Sequence, residues 1–405
     1  MSRPAEEAAS TAPAPAGTNT ASLAVLPLLA LAAFASGCGM RLLDPLLPTV
    51  AGDLMVTVAD AAIVISAFAL PYGLCQVVLG PLGDRFGKLR VLVTGLLLYG
   101  LATAVCASAA SLGQLVVLRA IAGGLAGAIV PLAMAWIGDN VPYADRQATL
   151  GRFLTGMVMA QLLTGPLAGV AGQALGWRAV FLLVGVQAVL TAAGIMAVLG
   201  RKLWRPEPSS AAGSGIARYL MLLRRPAGRR LLLASFFDGL LLFGGAFPFI
   251  GSYLIQVFHL EAWQAGLVVA VFGLGSFLYT RIARLLLARF GERRLLLTGG
   301  LVLAAGLAAV GLAPNWWVVA GLQAILGLAF FMFHGTLQAR STEALPEARA
   351  TAVSAFAMAL FLGQALGSIC FGLVMARAGY TGAFLLAGLA MTVLALWTRA
   401  AVLTR

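Results

Sequence analysis

Long apolar runs broken by short polar interruptions organise this chain. In the first half the runs cover about 23–48, 58–80, 90–110, 113–138, 147–172 and 179–199. In the second half they cover about 230–256, 262–286, 294–313, 315–340, 349–375 and 380–402. Each approaches the ~20 residues a helix needs to cross a bilayer. The runs are continuous and do not alternate with period two, which favours helices over barrel strands. The pattern predicts an all-α polytopic membrane protein with twelve transmembrane helices, numbered here as spans 1 to 12.

Two segments stand outside the pattern. Residues 1–21 are rich in Ala, Pro, Thr and Ser and carry Arg3, Glu6 and Glu7 without periodicity. They read as a disordered tail, because a secretory signal starts basic and turns apolar at once. The stretch from Arg201 to Arg230 gathers basic residues with Pro206, Pro208 and a Ser/Gly patch, and its Ile216–Leu223 portion suggests a short interfacial helix. The expected organisation is a tail at 1–21, a six-helix bundle at 22–200, a linker at 201–229 and a second six-helix bundle at 230–405.

Composition agrees: 61% of residues are hydrophobic and 10% charged, with mean hydropathy +0.97. A soluble domain carries about 25% charged residues. The net charge of +13 does not point to nucleic acid, since no soluble module exists to bear a basic face. With the N-terminus inside, all Lys and Arg except Arg41, Arg119, Arg178 and Arg377 fall in cytoplasmic loops, helix edges or tails. That bias predicts cytoplasmic termini and an inner (plasma) membrane location. Cys38, Cys75, Cys106 and Cys370 all lie within spans and read as small buried hydrophobes. His259 and His334 lack metal-ligand spacing, and no phosphate-binding glycine loop of the Walker type appears. Neither enzyme chemistry nor a cofactor is expected.

The halves are copies of one another. Arg85-Phe86-Gly87-Lys88-Leu89-Arg90 aligns with Arg289-Phe290-Gly291-Glu292-Arg293-Arg294 at an offset of 204 residues. Arg119 falls on Gln323 and Pro142 on Pro346 at the same offset, and Trp177 to Phe181 falls on Tyr380 to Phe384 at 203.

The stretch Gly80-Pro81-Leu82-Gly83-Asp84-Arg85-Phe86-Gly87-Lys88-Leu89-Arg90 resembles the major facilitator superfamily signature G-x-L-x-D-R-x-G-R/K-x-R, which joins spans 2 and 3. Parallel six-helix halves suit the same family. The resemblance implies a substrate cavity between the halves, opened alternately to either side. It also implies gating by the signature: Gly80, Gly83 and Gly87 shape the turn, Arg85, Lys88 and Arg90 hold it in the cytoplasm, and Asp84 bridges to the start of span 11 near Glu347 to Arg349. Asp84→Asn is expected to slow alternating access about as much as it slows transport, with substrate binding retained; equal loss of binding and transport would contradict the gating role. Ala288 replaces that acid in the second copy.

Three further stretches resemble the drug/proton antiporter branch. Asp44-Pro45-Leu46-Leu47-Pro48 matches its D-x-x-x-P, and Arg119, Gly123 and Gly127 match R-x-x-x-G-x-x-x-G. Gly165, Pro166 and Gly169 match part of G-x-x-x-G-P-x-x-G-G, with Gln161 and Val170 departing from it. A mid-membrane cation must face the bundle interior and find a partner; Arg41 and Asp44 are the candidates to meet Arg119. Arg does not release its proton, so Asp44 is the candidate proton carrier, tuned by Arg119 and Arg41. The alternative is a static ion pair closing the outer end. Asp238 and His334, at similar depth in spans 7 and 10, form a second candidate relay or substrate contact, against a purely structural Asp and His.

Aromatic residues cluster in spans 7 and 10. Phe247 and Phe333, with Tyr72 of span 2, are the candidates to line an apolar pocket. The leading expectation is a monomeric, proton-gradient-driven exporter of small amphipathic or hydrophobic compounds, with the bilayer as its surroundings and no nucleic-acid partner. The alternatives are a metabolite importer or facilitator, and a non-transporting membrane sensor.

Overall fold

The computed structural model describes residues 20–141, 143–204, 215–341, 343–345 and 349–402. The expected disordered tail lies almost wholly outside the described residues, as do the middle of the linker and the residues just before span 11, including Glu347. Side chains at Gly80, Pro81 and Asp84 also lie outside the description.

No strand occurs among the described residues. Within them, ten helical segments are long and apolar enough to cross a membrane. Spans 1 to 6 are Ala24–Arg41, Val58–Leu79, Lys88–Ser108, Leu112–Asn140, Thr149–Leu175 and Trp177–Trp204. Span 7 is Pro226–Phe258 and span 10 is Trp316–Ser341. The two longest, Ala262–Gly311 and Thr351–Ala401, are each a pair of helices joined at one non-helical glycine, Gly291 and Gly379. They supply spans 8 and 9 and spans 11 and 12, completing the twelve.

Those glycines carry the duplication into the backbone. Gly87 has φ 97° and its counterpart Gly291 has φ 66°; Gly176 has φ 83° and its counterpart Gly379 has φ 67°. Side chains other than hydrogen are strained in this region, so glycine is the residue that lets one helix stop and the next begin at once. The signature stretch is accordingly not the loop expected over 80–90: the helix of span 2 runs on to Phe86 and span 3 starts at Lys88.

Each half carries two polar clasps, of which the first recurs at equivalent positions. On the arginine-poor face, Trp177 Nε1 donates to Asp53 at 3.0 Å and Arg178 pairs with the same carboxylate, which holds that carboxyl below its ordinary range. In the second half Tyr380 donates to Gln256 at 2.8 Å, the same two positions 203 residues on. On the arginine-rich face Lys88 pairs with Asp139, tying the start of span 3 to the end of span 4. In the second half Glu292, the counterpart of Lys88, pairs with Arg340, which also reaches Glu343, the counterpart of Asp139.

Two interruptions position the site. The helix of span 1 ends at Arg41, short of the expected 48, because Pro45 and Pro48 cannot continue its hydrogen bonding. Turns carry residues 42–46 and a short helix, Leu47–Asp53, follows. Span 7 contains a π-helical stretch, Gly239–Ala246, between its two α-helical parts. A Cβ on Gly239 or Gly244 would strike the Leu360 or Gln364 carbonyl, so glycine lets span 7 lie directly on span 11. The linker helix forms at Gly215–Arg224, and its Leu222 packs against Leu345, Ala352 and Ala355.

Candidate functional site: the cavity between the halves

Because span 1 stops at Arg41, Asp44 sits on the first turn beyond the helix rather than further along its face. Arg41 Nη1 reaches its Oδ2 at 3.2 Å, and Arg41 Nε donates to Gln161 of span 5 at 3.0 Å. These three residues, with Gly165, form one wall of a cavity. The facing wall comes from the second half: Phe247 and Ile250 of span 7, Val269, Ala270 and Phe272 of span 8, and Gln323 of span 10. Phe243 and Phe330 back the Phe247 and Phe272 rings, at centroid separations of 5.0 to 6.3 Å. Arg41 also lies 5.8 Å from the Phe243 centroid, so the guanidinium reaches across the interface between the halves.

Arg119 does not hydrogen-bond to Asp44 or Arg41, contrary to the pairing expected from the sequence. It donates to the Gly39 carbonyl at 2.9 Å and lies 4.2 Å from the Phe68 ring centroid. Gly39 is in the last turn of the span 1 helix, where carbonyls run out of intrahelical donors and a cation meets the negative end of the helix dipole. Gly123 and Gly127 explain the spacing of the motif: a Cβ on either would strike the Phe68 or Tyr72 carbonyl of span 2. The glycines press span 4 onto span 2 and so set Arg119 over Phe68.

Asp238 and His334 do meet, with His334 Nδ1 2.5 Å from Asp238 Oδ2. Asp238 is fully buried, and its Oδ1 has no partner among the described residues. The imidazole stacks on Phe330 at 4.8 Å and approaches Phe243 and Phe356. This pair joins spans 7 and 10 behind the cavity's aromatic wall and is not part of the lining.

Of the three aromatic candidates, Phe247 lines the cavity. Phe333 packs on Gly299 and Gly300 inside the second half, away from it. Tyr72 lies against Phe361 at 4.4 Å and Phe68 at 5.9 Å, where spans 2 and 11 touch. Composition could not separate these roles, because helix phase and not residue type decides which ring faces the interior. Gln161 and Gln323 are cavity residues that the sequence reading did not single out. Each had a signal: Gln161 stands where the antiporter motif has glycine, and Gln323 stands opposite Arg119 in the repeat.

In the signature stretch, a Cβ on Gly83 would strike Leu132 of span 4. Arg85 lies 5.2 Å from the Phe86 centroid, and Arg90 donates to the Leu203 carbonyl at 3.3 Å beside Trp204. These contacts all stay within the first half and the start of the linker.

The halves are joined mainly through spans 5 and 8 and spans 2 and 11. Gly169 packs on Ala262 and Trp263, Gly165 and Gly266 bring their backbones together, and Leu162 fills the space beside Gly273. Gln173 donates to Glu261 at 2.5 Å at the arginine-poor end of the same seam. Across the other seam Ser66 donates to the Ala365 carbonyl at 2.5 Å and meets Ser368, while Gly372 lies against Ala59. These contacts gather toward the arginine-poor face.

The spans 5 and 8 seam gives an asymmetric prediction. A Cβ on Gly266 would stand 2.5 Å from the Gly165 carbonyl oxygen, whereas a Cβ on Gly165 would meet nothing closer than 3.3 Å. Overpacking costs roughly 1–3 kcal/mol, and about 1.4 kcal/mol is tenfold in a conformational population. Gly266→Ala is therefore expected to open this seam and speed labelling of a cysteine placed at Ile250 from the arginine-poor side about tenfold, in a background lacking the native cysteines. Gly165→Ala should leave the rate near that of the parent. Equal acceleration by both would contradict the packing argument.

A family model described as Major Facilitator Superfamily matches residues 29–287 and again 231–404. The chain is 28% identical over 372 residues to an uncharacterized MFS-type transporter, YwfA, of Bacillus subtilis, covering 90% of this chain and 89% of that one. It is 28% identical over 347 residues to a chloramphenicol resistance protein of Streptomyces lividans, covering 85% and 87%. Among solved structures, the nucleoside transporter NupG superposes with a TM-score of 0.72 at 14% identity, covering 94% of this chain and 100% of that one. A bacterial homologue of the human lysosomal transporter Spinster, in an inward-facing and unoccupied conformation, superposes at 0.73 with 18% identity, covering 95% and 96%.

Proposed function

The chain belongs to the Major Facilitator Superfamily and is a membrane transporter, and we propose that it is a proton-coupled exporter of small amphipathic or hydrophobic compounds. The observation that carries this reading is the cavity itself: a carboxylate in reach of a guanidinium on one wall, aromatic and aliphatic side chains on the other, and a different half of the chain behind each. A wall of this kind suits a ligand with large apolar surface and few polar groups. Similarity along most of the chain to a chloramphenicol resistance protein supports export and supplies a first compound to try.

Transport works by rocking the halves about the cavity. The contacts between halves gather toward the arginine-poor face, which supports a state closed on that side. The arginine-rich face is the cytoplasmic one by the charge bias, so in this state the cavity opens inward. Asp44 is the proton carrier in this scheme: protonation loosens its hold on Arg41, and loss of the proton restores it.

The reading is tested in proteoliposomes holding the purified protein, with uptake and efflux of chloramphenicol followed under imposed pH gradients of either sign. Transport driven against the direction of proton flow is the expected result. Movement along with the protons would make the protein an importer, and indifference to both gradients would remove proton coupling.

A further inference from the structure

Among the described residues, one side-chain polar group of the cavity is fully buried without a partner. Arg41 donates to Asp44 at 3.2 Å and to Gln161 at 3.0 Å, so the carboxylate on this wall already holds a cation and the Gln161 carbonyl already holds a donor. Gln323 is only 1% exposed, lines the same cavity, and its Nε2 has no hydrogen-bond partner among the described residues. A buried donor left unmet is costly, and a ligand oxygen that accepts from it removes that cost. The duplication sharpens the point. Gln323 is the counterpart of Arg119, yet Arg119 is engaged by the Gly39 carbonyl while the Gln323 amide remains available.

We infer that Gln323 is the specificity-determining donor for the transported compound, which is uncharged, mainly apolar or aromatic, and carries an acceptor such as a carbonyl or nitro oxygen. A cationic compound needs a carboxylate free of Arg41, and this wall does not offer one. A sugar needs partners for many hydroxyls, against a facing wall that is otherwise phenyl and aliphatic. The cavity is about 20 Å³ in this conformation, so the compound enters as the halves part, with its ring then packing against Phe247 and Phe272, whose own centroids are 5.0 Å apart.

The inference rests on the transport reading but is tested without transport. Equilibrium binding of radiolabelled chloramphenicol, which is uncharged and aromatic with nitro and amide oxygens, is measured on the full-length protein in lipid nanodiscs with no gradient. Wild type is expected to bind it, and Gln323→Leu to bind it about tenfold more weakly. The same variant is expected to unfold at a higher temperature without ligand, because an apolar side chain replaces an unmet buried amide. A merely structural glutamine would move both readings down together. Ethidium, an aromatic cation without an acceptor oxygen, should bind wild type more weakly than chloramphenicol does, and Gln323→Leu should leave that weak binding unchanged. The inference is overturned by unchanged chloramphenicol affinity in Gln323→Leu, by a lower unfolding temperature in that variant, by no chloramphenicol binding to wild type, or by ethidium binding wild type more tightly than chloramphenicol does. Because no gradient is applied, loss of proton coupling would leave this result intact.

Discussion

Proteoliposomes carrying Asp44→Asn are expected to build no chloramphenicol gradient from a proton gradient, while exchanging the compound at equilibrium. Asparagine keeps the shape of the side chain and still offers Arg41 an oxygen, and Arg41 keeps its bond to Gln161. What it lacks is a group that binds and releases a proton at working pH. One proton moving through about 100 mV supplies roughly 2.3 kcal/mol, which sustains a concentration ratio of ~50-fold for a neutral solute. The variant should hold that ratio near one. Full uphill transport in Asp44→Asn would take the coupling role from Asp44 and turn attention to the other buried acid, Asp238.

Breaking the second pair should show in stability first. Asp238 is fully buried and bonded to His334 at 2.5 Å among Phe243, Phe330 and Phe356. Removing one partner of a buried ionisable pair costs about 3–5 kcal/mol, whereas replacing both by apolar groups of similar volume is often neutral or stabilising. Asp238→Ala is therefore expected to destabilise the protein by about that amount, and the combination of Asp238→Leu with His334→Phe to recover most of it. Thermal unfolding in detergent distinguishes the cases. A single variant as stable as wild type would mean that the pair does not hold spans 7 and 10 together. A stable double variant that no longer responds to a pH gradient would give the pair a share in coupling.

Span number and repeat structure were legible in the sequence because both rest on features that no tertiary contact overrides: apolar runs of bilayer length, and glycines needed at positive φ. Gly87 and Gly291 show this well, since the offset read from sequence reappears as the same backbone conformation. Meeting points were less legible. That Asp238 would touch His334 follows from depth and repeat symmetry, but that Arg119 would take a backbone carbonyl depends on where the span 1 helix stops. Pro45 and Pro48 hinted at that stop, yet the continuous apolar run through residue 48 concealed it. The π-helical stretch in span 7 had no sign beyond Gly244-Gly245, because it depends on the close approach of span 11. The misassignment of Phe333 has the same origin: its helix face is fixed by packing on Gly299 and Gly300, not by being aromatic.

The clasps on the arginine-rich face bear on how the chain assembles. Two six-helix units descended from one ancestor risk trading parts during insertion, with a hairpin of one half docking into the other, a known failing of repeated domains. Here the turn that starts span 3 brings Lys88 to Asp139, and the turn that starts span 9 brings Glu292 to Arg340. In a swapped assembly Glu292 would fall opposite Asp139, a like-charge contact in place of its pairing with Arg340. The acid at position 292, where the first half has a lysine, thus biases the second hairpin toward its own half.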